Sequence, residues 1–240
     1  MKKALIIGAS SGIGAALAKV LAEDCDVIGL ASRRTELLEA LAAEIGKETH
    51  IAGMDVSRPE EARDHLDRLI ADMGGVDLAV ICAGTGFLNH ELKWELERQT
   101  IDVNVYGFTC LADTLMNQFI AQGSGHLVGI SSVAALRGSG VCPAYNASKA
   151  YVSNYLEGLR MKARQSGKEI IVTDIKPGFV DTPMAQGDGL FWVASPYEAA
   201  KQIGRLIRRR KVHGYVTRRW RIIAVILKLM PRRLYARLSM

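Results

Sequence analysis

Two side chains that could form an acid–base pair, Tyr145 and Lys149, lie four residues apart. On a helix this spacing places both on one face, one turn from each other. A tyrosine hydroxyl with its ordinary pKa of about 10 is a poor acid or base at neutral pH. We expect the lysine ammonium group to favour the phenolate and lower that pKa, so that Tyr145 can transfer protons. The alternative is a chance spacing, which occurs on many helices.

A third polar side chain, Ser132, comes shortly before this pair. It follows a segment of alternating apolar residues, His126 to Ile130, which predicts a buried strand. Open α/β sheets bind their ligands beyond the carboxyl ends of their strands. Ser132 and Tyr145 are therefore candidates for one common site.

A glycine-rich turn near the amino terminus connects the predicted strand Lys3–Ile7 to a predicted helix that begins at Ala15. Glycines let the backbone turn tightly and approach a pyrophosphate, and the helix start offers free N–H groups and a positive dipole end. The turn therefore predicts a dinucleotide site, with an ordinary glycine-rich βα turn as the alternative. The residues assigned to the site are Gly8, Ser10, Ser11, Gly12, Ile13 and Gly14.

The second predicted strand ends in Ser32, Arg33 and Arg34, without an acidic residue. In NAD-binding folds an acid at this position accepts a hydrogen bond from the ribose 2′-hydroxyl. A hydroxyl and guanidinium groups instead suit a 2′-phosphate, which favours NADP(H) over NAD(H). We expect Ser32 and Arg33 to bind that phosphate and the other arginine to be a solvated charge at the helix start.

Small or polar residues also follow the next two predicted strands. Asp55 and Val56 come after the third strand, where the Asp55 carboxylate can accept a hydrogen bond from an adenine amine. Ala83 and Gly84 come after the fourth strand, where small side chains let the backbone pack against the ribose of a cofactor. A plain turn explains Ala83 and Gly84 equally well.

Asn104 lies beside a glycine-containing stretch, inside a helix predicted from Glu91 to Gln122. A mid-helix asparagine near a glycine often marks a kink with a freed backbone carbonyl, which can hold a water molecule. The alternative is a polar residue whose hydrogen bonds are satisfied within the helix.

Strands and helices alternate from the first residues to residue 217. This predicts an α/β fold with one doubly wound parallel sheet and helices on both faces. We assign residues 1–217 to a dinucleotide-binding and catalytic domain and residues 218–240 to a basic C-terminal extension. Within the domain, residues 183–193 are glycine-rich and contain Phe191 and Trp192, which predicts a mobile lid over the ligand.

Composition excludes several classes of protein. The four cysteines and five histidines are scattered, so neither a disulfide framework nor a metal site is expected. Scattered cysteines fit a reducing cytoplasm, and the short apolar run after the first residues leads too directly into the fold to be a signal peptide.

Charge is distributed unevenly along the chain. Residues 1–200 carry 18 basic and 25 acidic side chains, whereas residues 201–240 carry 13 basic side chains and no acidic one. The basic extension contains Trp220 and an apolar run, Ile222 to Leu227, that is too short to span a bilayer. It suits a helix lying peripherally on an anionic membrane surface, such as the inner membrane. Packing on the body or on a partner subunit is the alternative, and nucleic acid is disfavoured because no basic and aromatic strand platform accompanies the charge.

The combined pattern resembles the short-chain dehydrogenase/reductase family over roughly residues 3–217. The matching residues occur in order and at family-like spacing: Gly8, Gly12, Gly14, Asp55, Ala83, Gly84, Asn104, Ser132, Tyr145, Lys149, Pro177 and Gly178. One departure is the fourth strand's end, where Ile81 and Cys82 replace the two asparagines that the family usually shows.

The resemblance implies a seven-stranded Rossmann sheet and specific roles for site residues. Tyr145 would be the general acid/base, Lys149 would bind the nicotinamide ribose and lower the pKa of Tyr145, and Ser132 would bind the substrate carbonyl. Asn104 would hold a water molecule in a proton relay. Val180 and Thr182 would hold the carboxamide of the nicotinamide, and Pro177 and Gly178 would also belong to the cofactor site.

The functional prediction is an NADP(H)-dependent oxidoreductase that transfers a hydride between the nicotinamide and a carbonyl or secondary alcohol. The alternative is a non-catalytic dinucleotide-binding sensor on the same fold, which usually loses the acid–base pair present here. The apolar extension and lid aromatics favour a lipophilic substrate. Family resemblance implies a homodimer or homotetramer formed through the helices that carry Asn104 and Tyr145.

Overall fold

The computed structural model describes residues 2–184 and 191–238. Within these residues, seven parallel strands form one sheet in the order β3-β2-β1-β4-β5-β6-β7. The strands are β1 Lys3–Ile7, β2 Val27–Ser32, β3 Glu48–Gly53, β4 Leu78–Ile81, β5 Ser124–Ile130, β6 Glu169–Pro177 and β7 His213–Val216. The predicted seven-stranded parallel sheet is confirmed.

Helices connect the strands and cover both faces of the sheet. They are α1 Gly12–Ala22, α2 Thr35–Ile45, α3 Pro59–Asp72, α4 Trp94–Ile101, α5 Phe108–Gln122, α6 Pro143–Gln165, α7 Pro196–Arg208, α8 Trp220–Leu229 and α9 Arg232–Leu238. The start of α7 follows its sequence signal, since the Ser195 hydroxyl accepts a hydrogen bond from the Glu198 N–H at 3.2 Å.

Each face of the sheet has its own apolar core. Leu5 and Leu127 pack with α3, α5 and α6 on one face, and Ile6 and Val128 pack with α1, α2 and α7 on the other. Successive strand residues point to opposite faces. Because both faces are covered, the central strands are continuously apolar, which is what made them recognisable in the sequence.

The helix predicted from Glu91 to Gln122 is not continuous. A π-helix, Asp102–Gly107, lies between α4 and α5 and contains Asn104. A Cβ atom at Gly107 would lie 2.0 Å from the Val56 carbonyl oxygen, so this position requires glycine. The predicted kink at Asn104 therefore takes the form of a π-helical segment packed against the loop after β3.

The loops after the central strands β1 and β4 approach each other closely. Gly8 has a φ of +91°, and a Cβ atom there would lie 2.5 Å from the Ala83 nitrogen. Only glycine combines that backbone conformation with that approach. Since the chain passes to opposite faces of the sheet after β1 and β4, a crevice opens at their carboxyl ends, where ligands of such folds bind.

The extension after β7 packs on the body of the protein. Trp220, which is 3% exposed, lies against Gly178, where a Cβ atom would be 2.0 Å from the indole ring. Its ring also meets Phe179 edge-on, with centroids 5.2 Å apart. Of the two interpretations of the extension, packing on the body is therefore observed for residues up to 238.

Among the described residues, no helix has both the length and the apolar character to cross a membrane.

Candidate active site

A single cleft of about 960 Å³ runs along the carboxyl ends of the central strands. It contains most of the residues singled out in the sequence. Those in its lining are Gly8, Ser10, Ser11, Gly12, Ile13, Gly14, Ser32, Arg33, Asp55, Val56, Ala83, Gly84, Ser132, Tyr145, Lys149, Pro177, Gly178, Val180 and Thr182. Asn104 lies behind the cleft, almost completely buried.

The glycine turn places the start of α1 at one end of the cleft. Helix α1 begins at Gly12, whose φ is +56° and whose added Cβ atom would lie 3.0 Å from the Thr182 side chain. A side chain at Gly12 would occupy the space between the glycine turn and Thr182. The free N–H groups at the start of α1 and the space left by glycine fit a pyrophosphate group.

The two arginines after β2 both line the cleft but differ in their contacts. The Arg34 Nη2 atom donates hydrogen bonds to the hydroxyls of Ser10 and Ser11, both at 2.9 Å. The sequence favoured Arg33 as the phosphate ligand. In the structure, Arg34 joins the end of β2 to the glycine turn through these two hydrogen bonds.

The Asp55 carboxylate is fixed by its own loop. Its Oδ1 atom accepts hydrogen bonds from the Ser57 N–H at 3.0 Å and the Ser57 hydroxyl at 2.7 Å. Burial alone would raise the pKa of Asp55, but these bonds and the charges of Arg33 and Arg58 lower it. The carboxylate is therefore ionised and oriented at neutral pH, as an acceptor of a hydrogen bond should be.

Asn104 braces the loop that follows β4. Its Oδ1 atom accepts from the Thr85 N–H at 2.8 Å, and its Nδ2 atom donates to the Thr85 carbonyl at 2.7 Å and to the Ser148 hydroxyl at 2.9 Å. The sequence assigned Asn104 to a water-holding backbone position. The structure shows that its side chain holds the loop, and a water molecule bound to its backbone carbonyl stays a prediction.

The replacement of asparagine by Cys82 leaves a neutral group beside the cleft. Burial raises the pKa of the Cys82 thiol to about 12, although the nearby Lys149 charge acts the other way. A Cβ atom at Gly84 would lie 3.2 Å from the Lys149 Nζ atom, so the loop backbone passes directly over the lysine. Asparagine and the Cys82 thiol are both neutral, so the replacement at the end of β4 does not change the charge of the site.

Helix α6 carries both Tyr145 and Lys149 into the cleft. The Lys149 Nζ atom donates to the Ile130 carbonyl at 3.0 Å and lies 5.8 Å from the centroid of the Tyr145 ring. The lysine is only 5% exposed. Burial lowers the pKa of Lys149 to about 8, with Cys82 and Asp174 acting in the opposite direction.

The expected lowering of the Tyr145 pKa is wrong for this structure. Burial raises the pKa of the Tyr145 hydroxyl, and a hydrogen bond with Ser132 only partly offsets that rise. The pKa of Tyr145 is set by burial, the Ser132 hydrogen bond and Cys142, and not by the charge of Lys149, whose Nζ atom lies 5.8 Å from the ring centroid. Tyr145 is therefore a protonated phenol at neutral pH, which suits a proton donor.

Ser132 lies at the end of β5, where a 3₁₀ turn, Val133–Leu136, begins. Its hydroxyl accepts a hydrogen bond from the Ala134 N–H at 3.1 Å and approaches the Pro177 carbonyl at 3.5 Å. Ser132, Tyr145 and Lys149 thus come together from β5 and α6 at the same part of the cleft. A carbonyl oxygen placed there can receive hydrogen bonds from both hydroxyls.

Several residues near this group were missed by sequence reasoning. A Cβ atom at Gly86 would lie 2.4 Å from the Tyr145 ring. Asn146 donates to the carbonyls of Ala134 at 3.1 Å and Arg137 at 2.6 Å. The only sequence signals were a second glycine after Gly84 and a polar residue next to Tyr145, and neither reveals such a contact.

The other end of the cleft is mostly apolar. Its lining there includes Phe87, Leu88, His90, Gln99, Val133, Val141, Phe179, Met184, Leu227 and Tyr235.

No group of three or more histidine, cysteine or acidic side chains that could hold a metal ion occurs in the described part of the chain.

The predicted lid is described only at its ends, because residues 185–190 lie outside the described residues. Phe191 stacks on Trp220 with ring centroids 5.1 Å apart, and Trp192 meets Trp220 edge-on at 6.2 Å. Neither aromatic is among the cleft-lining residues. Both aromatics pack on Trp220 of the extension, and their closure over a ligand stays a prediction.

Comparison with known proteins shows which family the sequence resembles. The family model described as short chain dehydrogenase matches residues 2–189. A Myxococcus xanthus (strain DK1622) protein described as an uncharacterized oxidoreductase is 35% identical over 215 residues, which cover 87% of this chain and 84% of that protein.

Solved structures show the same fold. An alcohol dehydrogenase from Thermococcus sibiricus, complexed with 5-hydroxy-NADP, matches with a TM-score of 0.80 and 25% identity over 90% of this chain and 96% of that one. A short chain dehydrogenase from Mycobacterium paratuberculosis bound to NAD matches with a TM-score of 0.79 and 23% identity, again over 90% and 96% of the two chains.

Proposed function

Because the chain belongs to the short-chain dehydrogenase/reductase family of oxidoreductases, we propose that it is an NADP(H)-dependent enzyme that interconverts a carbonyl compound and an alcohol. The observation that carries the proposal is the convergence of Ser132, Tyr145 and Lys149 in a cleft that also contains the glycine turn. The solved structures named above are complexed with 5-hydroxy-NADP or NAD, and the glycine turn leaves space for such a dinucleotide.

The site residues have distinct proposed roles in carbonyl reduction. When bound, the reduced nicotinamide supplies the hydride. Ser132 donates a hydrogen bond to the substrate oxygen, and Tyr145 transfers its phenolic proton to that oxygen as negative charge develops there. Lys149 binds the nicotinamide ribose, while Asn104 keeps the β4 loop in place through its bonds to Thr85. The relay role of an Asn104-bound water remains a proposal from family resemblance.

The NADP(H) preference rests on the groups at the end of β2. Ser32, Arg33 and Arg34 line the cleft there, and two guanidinium groups suit a 2′-phosphate. Replacing Arg33 with alanine, while Arg34 keeps its hydrogen bonds to the glycine turn, is expected to raise the Kd of NADPH at least tenfold and to leave that of NADH nearly unchanged. Arg68→Ala, an exposed arginine on α3, is the control. Equal losses for both cofactors would contradict the preference.

The substrate is proposed to be an uncharged, lipophilic carbonyl compound. This end of the cleft is lined by Phe87, Leu88, Val141 and Leu227 among other apolar side chains. An apolar lining favours ligands whose burial removes apolar surface from water.

A homodimer or homotetramer is proposed through the surface of α5 and α6. Tyr151 stacks on Tyr155 there with ring centroids 5.5 Å apart, and Met161 is 61% exposed. Exposed aromatic and methionine side chains are enriched at interfaces. Sedimentation of the wild type and of Met161→Glu tests this, because a monomeric wild type would contradict the proposed assembly.

The extension is proposed to contact an anionic membrane surface with the face of α8 that points away from the body. Ile222, Val225, Ile226 and Leu229 follow helical spacing and are exposed, Leu229 by 78%. The basic side chains around them are Arg218, Arg219, Arg221, Lys228, Arg232, Arg233 and Arg237. An apolar stripe flanked by cations suits a helix at such a surface.

Vesicle sedimentation tests the membrane contact. Wild type should bind vesicles containing phosphatidylglycerol and not vesicles of phosphatidylcholine alone. Replacing Ile222, Ile226 and Leu229 with serine should abolish binding, whereas Leu37→Ser on α2 should not. Equal binding by the triple variant would contradict the proposal.

The proposed activity is tested by screening ketones, aldehydes and alcohols while following the absorbance of NADPH, with NADH in parallel. Turnover that needs NADPH and a carbonyl compound supports the enzyme. The competing proposal, a dinucleotide-binding sensor, predicts tight NADPH binding without turnover of any compound in the screen.

A further inference from the structure

Arg137 connects the loop after Ser132 to the end of α8. Its Nε atom donates to the Leu227 carbonyl at 2.7 Å, and its Nη2 atom donates to the Met230 carbonyl at 2.5 Å and approaches that of Lys228 at 3.4 Å. The last carbonyls of a helix lack partners within the helix and form its negative end. A planar guanidinium group satisfies several of them at once.

The end of α8 has no glycine to close it, since Met230 follows the helix in an extended conformation and Pro231 comes next. Arg137, from a distant part of the chain, provides a capping interaction for the carbonyls of Leu227 and Met230. Helices α8 and α9 are not held by Trp220 alone, because their other end is bound to this loop.

A second contact joins α9 to the same loop. The Tyr235 hydroxyl donates to the Gly138 carbonyl at 2.6 Å, and the Arg137 guanidinium lies over the Tyr235 ring, 5.6 Å from its centroid. Such a cation–π contact adds to the hydrogen bonds. Arg137 thus contacts both helices of the extension.

The loop is also fixed to the catalytic helix. Asn146, the residue after Tyr145, donates to the Arg137 carbonyl at 2.6 Å. The side chain of Arg137 therefore faces the extension while its backbone is bound to α6. Leu227, Tyr235 and Arg137 all line the cleft, so the extension forms one wall of its apolar end.

We propose that Arg137 is a positioning residue that holds α8 and α9 against the Ser132 loop, and that the wall so formed binds bulky, uncharged carbonyl substrates. The Arg137 guanidinium donates its hydrogen bonds to backbone carbonyls of the extension. It therefore holds the extension in place and does not bind a substrate carboxylate. The part of the proposal that concerns substrates rests on the proposed function, whereas the part that concerns the wall does not.

The wall is tested by hydrogen–deuterium exchange on the full-length protein without substrate. Arg137→Ala should increase exchange in residues 220–238 at least tenfold, and Arg137→Lys should have an intermediate effect because lysine lacks the planar fork. Tyr235→Phe removes only the bond to Gly138 and should raise exchange mainly in α9.

Arg160 provides a matched control. Its guanidinium also donates to backbone carbonyls, those of Val172 at 3.1 Å and Val212 at 2.8 Å, but it is not among the cleft-lining residues. Arg160→Ala should leave exchange in residues 220–238 unchanged. Unchanged exchange in Arg137→Ala, or an equal increase in Arg160→Ala, would overturn the proposed positioning role.

The substrate part is tested with 2-decanone and acetone as probes. Arg137→Ala should raise the KM for 2-decanone at least fivefold with kcat within twofold of wild type, and kcat/KM for acetone should change little. A released extension with an unchanged KM for 2-decanone would overturn the substrate role. If the wild type reduces neither ketone and no other carbonyl, the proposed function fails, while the exchange result still decides the role of Arg137 in the wall.

Discussion

Replacing Lys149 with methionine should make the protein inactive and, at the same time, change how its stability depends on pH. Lys149 is almost fully buried, and burial lowers its pKa from 10.5 to about 8. Between these two values the unfolded chain binds more protons than the folded one. The wild-type protein therefore gains stability as the pH rises from about 8 to 10.5. Methionine has a similar length and no charge, so it removes this dependence.

The size of the effect follows from the pKa difference. One pKa unit corresponds to about 1.36 kcal/mol, so the buried ammonium costs roughly 3 kcal/mol at pH 7 and roughly 1 kcal/mol at pH 9.5. The variant also leaves the Ile130 carbonyl without its donor, which costs about 1–3 kcal/mol at either pH. Only the pH-dependent part is therefore diagnostic. The unfolding free energy of wild type relative to Lys149→Met should rise by about 2 kcal/mol between pH 7 and pH 9.5.

Urea unfolding of both proteins at the two pH values measures this difference. Lys47→Met, which removes an exposed lysine, is the control and should show almost no pH-dependent change relative to wild type. The unfolding free energy of wild type relative to Lys149→Met should change between the two pH values. If it stays constant to within about 0.5 kcal/mol, a charged lysine is not buried at this position.

Two further predictions concern the catalytic pair. Because burial raises the pKa of Tyr145 and lowers that of Lys149 to about 8, kcat/KM for reduction should be flat below about pH 8 and fall above it. Alcohol oxidation should instead increase with pH, and rate profiles that rise or fall together would contradict the assignment. Gly86→Ala would place a Cβ atom 2.4 Å from the Tyr145 ring and should lower kcat at least tenfold without weakening NADPH binding. Gly140→Ala, where an added Cβ meets no atom within 4 Å, should retain activity, and equal activities of the two variants would argue against the predicted clash.

The sheet and its helices were predictable because their sequence signals are local. The strands are covered on both faces, so they are short apolar runs separated by helical periodicity. The predicted strand from Lys3 to Ile7 has the bounds that the structure gives to β1. The glycine turn was equally clear, because Gly8 is required by a positive φ and by the approach of Ala83.

Other features depended on contacts between distant parts of the chain. Arg33 and Arg34 are adjacent and chemically identical, and only the backbone after β2 decides which one reaches Ser10 and Ser11. The pKa of Tyr145 is raised by burial, which depends on how the rest of the chain packs around α6 and not on the spacing to Lys149.

The packing of the extension also depends on contacts between distant parts of the chain. Its apolar and basic residues indicated a surface helix but left open what the helix contacts. The answer depends on Gly178, which leaves room for the Trp220 ring, and on Arg137, which caps α8. Neither residue has a pattern that connects it to residues more than 40 positions away.

We propose above all that Tyr145 protonates the substrate oxygen and that the same cleft binds NADPH. The most direct test of this proposal is Tyr145→Phe, which removes only the hydroxyl, assayed for NADPH-dependent carbonyl reduction and for NADPH binding. Tyr145→Phe should have a kcat at least a hundredfold below wild type and an unchanged Kd for NADPH. Near-normal turnover by Tyr145→Phe would contradict the proposal.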